Sequence, residues 1–303
     1  CGMNAWCQNS QIVLASSSDP AGPYKRHDGR PLFLPFAHEP SVARDPRDGR
    51  LVAFFTAQRP SLRKRCTNCS NGKTLGPCPD VDQCSPNTDP TWLSISASGD
   101  PIGPWSDPVV VLSNTSSDTN LSPWILPNGS LVAVWRTFAP TDSHPWFGSK
   151  MHLLTAQQWD DVRTYESHAE RNIFPTLGNP TNFGGAEDPF LWVDHQGVYH
   201  VVLHNMYGCN TGIGSRPCGT HRWSRNGWDW TLSGSGAYGP VSCGVEHWFR
   251  YWDNDGLLDG ACARAPTHLI LCNSTPTHFI TGTVFNGDAS STLVQPLYAG
   301  GRL

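Results

Sequence analysis

Apolar and polar residues alternate along most of the chain, and the alternation breaks at short clusters of Pro, Gly, Asn and Asp. That pattern predicts strands joined by turns. Three stretches repeat one plan, in which a proline opens a short apolar strand, a polar turn with glycine follows, and a second strand rich in Val, Leu and aromatics returns. They are "HEPSVARDPRDGRLVAFF" from His38, "SPWILPNGSLVAVW" from Ser122 and "DPFLWVDHQGVYHVVLH" from Asp188. Each predicts a β-hairpin, because "PRDGR", "PNGS" and "DHQG" supply the Asn, Asp and Gly that reversals with positive φ require. No helical periodicity of any length competes.

A second repeat follows the same rhythm. "LASSSDPAGPYK" near the N-terminus and "ISASGDPIGPWSD" near residue 100 each give a strand, a D-P-x-G-P turn and an aromatic that starts the next strand. "THRWSRNGWDWTL" from Thr220 fills that place after the third hairpin, with Asn226 and Gly227 as its turn. An inner hairpin plus such an outer half makes a four-stranded sheet. Sheets of this kind recurring at roughly 50 to 70 residues predict a propeller, since none can bury its faces alone. The C-terminal pair "APTHLILCN" and "TPTHFITGTVF" has no outer half after it, and the N-terminal "QIVLASSSDPAGPYKR" has no inner half before it. The expected fold is therefore all-β, a single five-bladed β-propeller over residues 1–303, closed by pairing of the N- and C-terminal segments. Four blade starts are marked by sequence, and a fifth is placed within residues 205–262.

Composition narrows the setting. At 303 residues with 38% hydrophobic content the chain can bury a substantial core. With 15% charged residues, a net charge of -4 and only the short "RKR" at Arg63 to Arg65, it has no footprint for nucleic acid. No run approaches the length of a membrane-spanning helix, and no basic-then-apolar leader opens the chain. No cofactor or metal is expected. Eleven cysteines lie mostly in loop-like sequence, as disulfides do in secreted proteins. Five N-x-S/T sequons, at Asn68, Asn114, Asn120, Asn128 and Asn273, point the same way, although about three would arise by chance. The expectation is a secreted, extracellular glycoprotein; a bacterial lipoprotein beginning at Cys1 is the alternative. Residues 63–88 form a Cys-rich insert within the first blade. Its Cys66, Cys69, Cys78 and Cys84 suit two disulfides better than zinc, because their spacing fits no standard finger. Cys209 and Cys218 bracket a loop that a further disulfide would staple. The odd count leaves one thiol, either buried or, at Cys1, joining two chains.

In this order "SSSDPAGPY", "GDPIGPW", "AHEPSV", "SPWILPNGSL", "GGAEDPFLWVDHQGVYHVVLH", "HRWSRNGWDW" and "PTHFITGTVF" with "TLVQPL" resemble the five-bladed propellers of the glycoside hydrolase family 43 type, over nearly the whole chain. The resemblance implies three carboxylates converging where the inner strands begin: a base acting on water, a second that tunes the acid, and a glutamic acid that protonates the leaving oxygen. Inversion at a sugar carbon needs the acid and the base about 6.5 to 9.5 Å apart on opposite faces. Carried over, Glu39 stands at the base position, where the family usually has aspartate, and Asp188 of "EDP" takes the tuning role. Where the family shows an Arg-Glu-Arg-Pro-like stretch, this chain has "CARAPTHLIL", with Arg264 and Pro266 but no glutamate. Glu246 in "CGVEHWFRYWD" is the substitute candidate, with Asp253 beside it. Each carboxylate also has a structural alternative, since Asp or Glu before Pro commonly finishes a turn.

Most of the thirteen tryptophans fall in predicted strands and serve packing. Trp146 and Trp248 lie in predicted loops, where an indole offers a flat face to a pyranose; His204 and His221, near strand ends, could hydrogen-bond a sugar. Two readings follow. One is a catalytically degraded propeller that binds carbohydrate, either a polysaccharide or its own N-glycans, and self-associates as a subunit of an extracellular assembly such as a filament. The other is an active inverting glycoside hydrolase acting on a polysaccharide.

Overall fold

The computed structural model describes residues 11–19, 22–27, 32–33, 37–57, 69–70, 73–74, 90–113, 119–137, 150–174, 186–205, 218–233, 252–253, 256–257, 261–272, 275–285 and 289–296. Nearly all their regular structure is strand, and the helical part is one 3₁₀ turn at Val162–Thr164. The chain divides into two compact units, one of Cys1–Ser17, Tyr24–Phe138 and Met151–Arg171, the other of Ser18–Pro23, Ala139–Lys150 and Asn172–Leu303.

In the first unit β1 (Ala15–Ser16) and β2 (Lys25–Arg26) pair only with each other. The first four-stranded antiparallel sheet begins with β3 (His38–Arg44) and β4 (Leu51–Thr56). Within the connection that follows, β5 (Cys69–Ser70) pairs with β6 (Lys73–Thr74). The sheet then resumes with β7 (Thr91–Ser96) and β8 (Val109–Leu112), so β4 lies directly against β7. The second sheet runs β9 (Ser122–Ile125), β10 (Leu131–Thr137), β11 (Lys150–Ala156) and β12 (Tyr165–His168).

Strands β4 and β10 read "LVAFFT" and "LVAVWRT", continuous apolar runs rather than alternations, because both of their faces are covered. Val52, Phe54, Leu93, Leu131, Trp135, Leu154 and Trp159 form one core. Each large side chain buried there contributes roughly 1.5 to 3 kcal/mol.

A polar clamp joins the turns of these two sheets. Asp45, fully buried, accepts from the Arg47 guanidinium on both oxygens and from the Trp159 indole N–H. Those hydrogen bonds hold its carboxyl well below the usual carboxylate range, Arg47 first, against the opposing effect of burial. The Trp159 backbone N–H donates to Gly129 O at 3.1 Å, and the Arg50 guanidinium lies 4.7 Å from the indole centroid.

The second unit holds the sheet β13 (Ala186–Val193), β14 (Tyr199–Asn205), β15 (Cys218–Ser224) and β16 (Thr231–Leu232). It also holds the short pair β17 (Trp252–Asp253) and β18 (Gly256–Leu257), and a three-stranded sheet of β19 (Ala261–Cys272), β20 (Thr275–Phe285) and β21 (Ala289–Pro296). Along β13, β14 and β15, Leu191, Val201 and Leu203 turn inward with Arg222, whose guanidinium lies 4.9 Å from the Phe174 ring. The opposite face carries Phe190, Trp192, His200 and His221. The predicted hairpins and the Asn226–Gly227 turn are found as expected, with Gly227 at φ 76°. Both residues of β1 and both of β2 are exposed, so this pair buries no face of its own.

Candidate functional site at the strand starts

Three non-glycine residues among those described have positive φ: Glu39 at 53°, Asn120 at 40° and Asp188 at 50°. They occupy one structural position. In the first sheet His38 pairs with Thr56 and Ser41 with Phe54, leaving Glu39 and Pro40 opposite a single residue. In the third hairpin Glu187 pairs with His204 and Phe190 with Val202, which leaves Asp188 and Pro189. In the second, the Arg136 N–H donates to Thr119 O and Ser122 pairs with Val134, which leaves Asn120 and Leu121. Each first strand therefore opens with the same bulge, led by an acid or its amide in the left-handed region. Asn and Asp tolerate this region better than most residues, yet it costs of order 1 kcal/mol, and such strain concentrates at functional positions.

The residue opposite each bulge is apolar and buried, Phe55, Trp135 or Leu203, whereas its neighbour, paired with the residue before the bulge, is polar and buried. Those neighbours, Thr56, Arg136 and His204, are 1%, 1% and 6% exposed, an uncommon place for buried polar side chains. In the first unit Asn120 N–H donates to Glu39 Oε2 at 3.3 Å, fixing one carboxylate oxygen as an acceptor. Behind it the Thr119 hydroxyl lies 2.9 Å from that of Thr56 and 2.8 Å from that of Thr91. His152, also buried, is held at Nδ1 by Arg171 O (2.9 Å) and at Nε2 by the Thr137 hydroxyl (2.8 Å). In the second unit His204 Nε2 lies 4.0 Å from Glu187 Oε1. Among the described residues no group of three or more His, Cys, Asp or Glu is arranged to hold a metal, and no helix is long and apolar enough to cross a membrane.

No family model matches the chain, and no curated protein matches it by sequence. Its similarity is to solved structures. A GH43_12 protein retrieved from a capybara gut metagenome aligns with TM-score 0.51 at 12% identity, over 88% of this chain and 41% of its own. A second structure, described as a glycoside hydrolase, aligns with TM-score 0.51 at 12% identity, over 85% of this chain and 69% of its own. The fold is that of the glycoside hydrolase family 43 type. The chain thus spans well under half the length of the first of these relatives.

Within this family 43-like β-propeller fold, Glu39 and Asp188 both stand at the first strand of a sheet, one in each unit. His204 is brought to Glu187. His221 is committed elsewhere, with its ring nitrogens directed to His200 and Ser233. Glu246, Trp146 and Trp248 lie outside the described residues, as do Cys66, Cys78, Cys84, Cys209, Asn68, Asn114 and Asn273. Cys69 and Cys218 are described only as members of β5 and β15, and Asp253 only as a member of β17. Asn128 sits in an exposed turn, accepting from Ser130 N–H, whereas Asn120 is 8% exposed. Sequence reading gave Asn120 only as a sequon and did not place it among the strand-start residues. Its proline, Pro123, comes three residues later, whereas Glu39 and Asp188 directly precede theirs. Matching prolines puts Ser122 in the equivalent place, two residues off.

Proposed function

We propose that this chain binds carbohydrate at its strand starts, at Glu39 and Asn120 in the first unit and at the equivalent Asp188 in the second, but does not complete glycoside hydrolysis. The observation that carries this reading is the lack of a glutamate in "CARAPTHLIL", where the resemblance places the acid. An inverting mechanism needs one ionised and one protonated carboxyl in place. The second of the three equivalent strained positions holds an amide, Asn120, which can hydrogen-bond a sugar hydroxyl as donor and acceptor but adds no carboxyl in place of the missing one. Closure into five blades by the terminal segments, secretion and glycosylation complete the proposal. Service as a self-associating subunit of an extracellular assembly or filament rests on the cysteine and sequon content.

The test is a panel of plant, algal and microbial oligosaccharides, measured by calorimetry for binding and by reducing-end release for hydrolysis. Binding without turnover is expected. Steady release of sugar that disappears in Glu39→Gln would establish the active hydrolase instead, and neither binding nor release would remove the carbohydrate reading.

A further inference from the structure

On the face of the β13–β16 sheet that carries Trp192, four side chains form a hydrogen-bonded series that the carbohydrate reading does not use. Asp194 Oδ2 lies 3.2 Å from His200 Nε2. His200 Nδ1 lies 3.1 Å from His221 Nε2, and His221 Nδ1 lies 2.7 Å from the Ser233 hydroxyl. Strand register builds the series. Trp192 pairs with His200, His221 is diagonal to His200 across β14 and β15, and the Ser233 N–H donates to His221 O at 3.0 Å. The Trp192, His200 and His221 rings stack in parallel, with His200 and His221 centroids 5.3 Å apart at 13°. Asp194 is itself fixed, since its other oxygen accepts from the N–H groups of Gln196 and Val198.

Proton placement follows from the acidic end. A carboxylate only accepts, so His200 carries its proton on Nε2. Its Nδ1 then accepts, so His221 carries its proton on Nε2, and His221 Nδ1 accepts in turn from Ser233. Burial, followed by the neighbouring His200, pushes the His221 imidazole down to about 4, so it is neutral around pH 7. Asp194 is held below its ordinary range by the Val198 N–H, His200 and the Gln196 N–H, although burial opposes this. One anionic group thus sets both tautomers and points the serine proton inward. Nucleophile, base and orienting group within hydrogen-bond reach are the mark of an activated serine.

We infer that Ser233 is a nucleophile that takes an acyl group from a carboxylic ester. Ser233 Oγ bonds to the carbonyl carbon as its proton passes to His221 Nδ1. The His221 Nε2 proton moves to His200 Nδ1, so the positive charge comes to rest beside Asp194. Collapse of the tetrahedral adduct breaks the ester C–O bond, the protons return along the series, and the alcohol leaves protonated. Ser233 is half-buried. This inference stands independently of the carbohydrate reading.

The probe is an alkyl fluorophosphonate, which replaces fluoride by the attacking serine oxygen. The adduct is mapped by peptide mass spectrometry on the folded protein and on the same protein unfolded in urea. Folded protein should be labelled at Ser233 at least about 100-fold faster than unfolded, and His221→Gln should remove most of that gain. Asp194→Asn, which permits the wrong tautomer, should lower it as well. Absence of label on Ser233, or equal rates in folded and unfolded protein, would overturn the inference even if the variants fail to fold. So would full labelling in a folded His221→Gln protein.

Discussion

At the scale of single residues, three non-glycine backbones, at Glu39, Asn120 and Asp188, are held at positive φ. The strain makes the choice of side chain measurable. Asp188→Asn keeps a residue that accepts the left-handed region, so unfolding free energy should change by less than about 1 kcal/mol, whereas Asp188→Val should lose roughly 2 kcal/mol or more. Urea titration of the two variants would decide it, and equal losses would mean that the φ value places no demand on the side chain. Asn120 carries a sequon but is buried against Glu39, so glycopeptide mapping should find it bare even where Asn128 is occupied. The two acids at these positions were legible because each directly precedes a proline and an apolar run. Asn120 was not, because a shift of two residues leaves every side chain on its own face, and periodicity cannot detect it. The Asp194 to Ser233 series was equally hidden, since it depends on a diagonal contact between strands.

At the scale of elements the hairpins were legible because their signals are local: alternation on either side of Asn, Asp and Gly. The meeting of separate turns has no such signal. Gly99 has φ 72°, and a Cβ there would come within 2.5 Å of Gly49 O, while Arg44 donates to Gly49 O. Gly197 has φ 79° with nothing within 4 Å of the same position. Gly197→Ala should therefore cost only about 1 kcal/mol for the backbone, and Gly99→Ala distinctly more, because two turns must part. Thermal unfolding of the pair is a direct check; equal shifts would show that the turns do not constrain each other.

The clamp at Asp45 works at the same scale. A carboxyl whose folded value is depressed contributes stability that is complete above its unfolded value near 3.9 and is lost as pH falls toward its folded value. Wild type should thus lose stability between about pH 5 and pH 2. Asp45→Asn should be less stable by roughly 2 to 4 kcal/mol at pH 7, and the gap should narrow in acid. A gap unchanged from pH 7 to pH 3 would contradict the clamp.

For the whole molecule, alternation, turn chemistry and the resemblance of ordered segments were enough to name the fold, because a propeller repeats one local unit. Ring closure has no comparable local signal, since it would need partners far apart in sequence. Cysteine content bears on assembly: the eleven cysteines of residues 1–303 cannot all pair with one another. Non-reducing electrophoresis of native material should show oligomers that mild reduction collapses if the odd cysteine links chains. A clean monomer both before and after reduction would remove that support for the assembly.

The most direct test of the central claim is calorimetric titration of the wild type, Glu39→Gln, Asn120→Ala and Asp188→Asn with the oligosaccharide that binds best in the panel. Each substitution should weaken binding at least about tenfold, a loss of about 1.4 kcal/mol, with the fold intact by circular dichroism. Undiminished affinity in all three folded variants would contradict it, and the strained strand starts would then be turn chemistry alone.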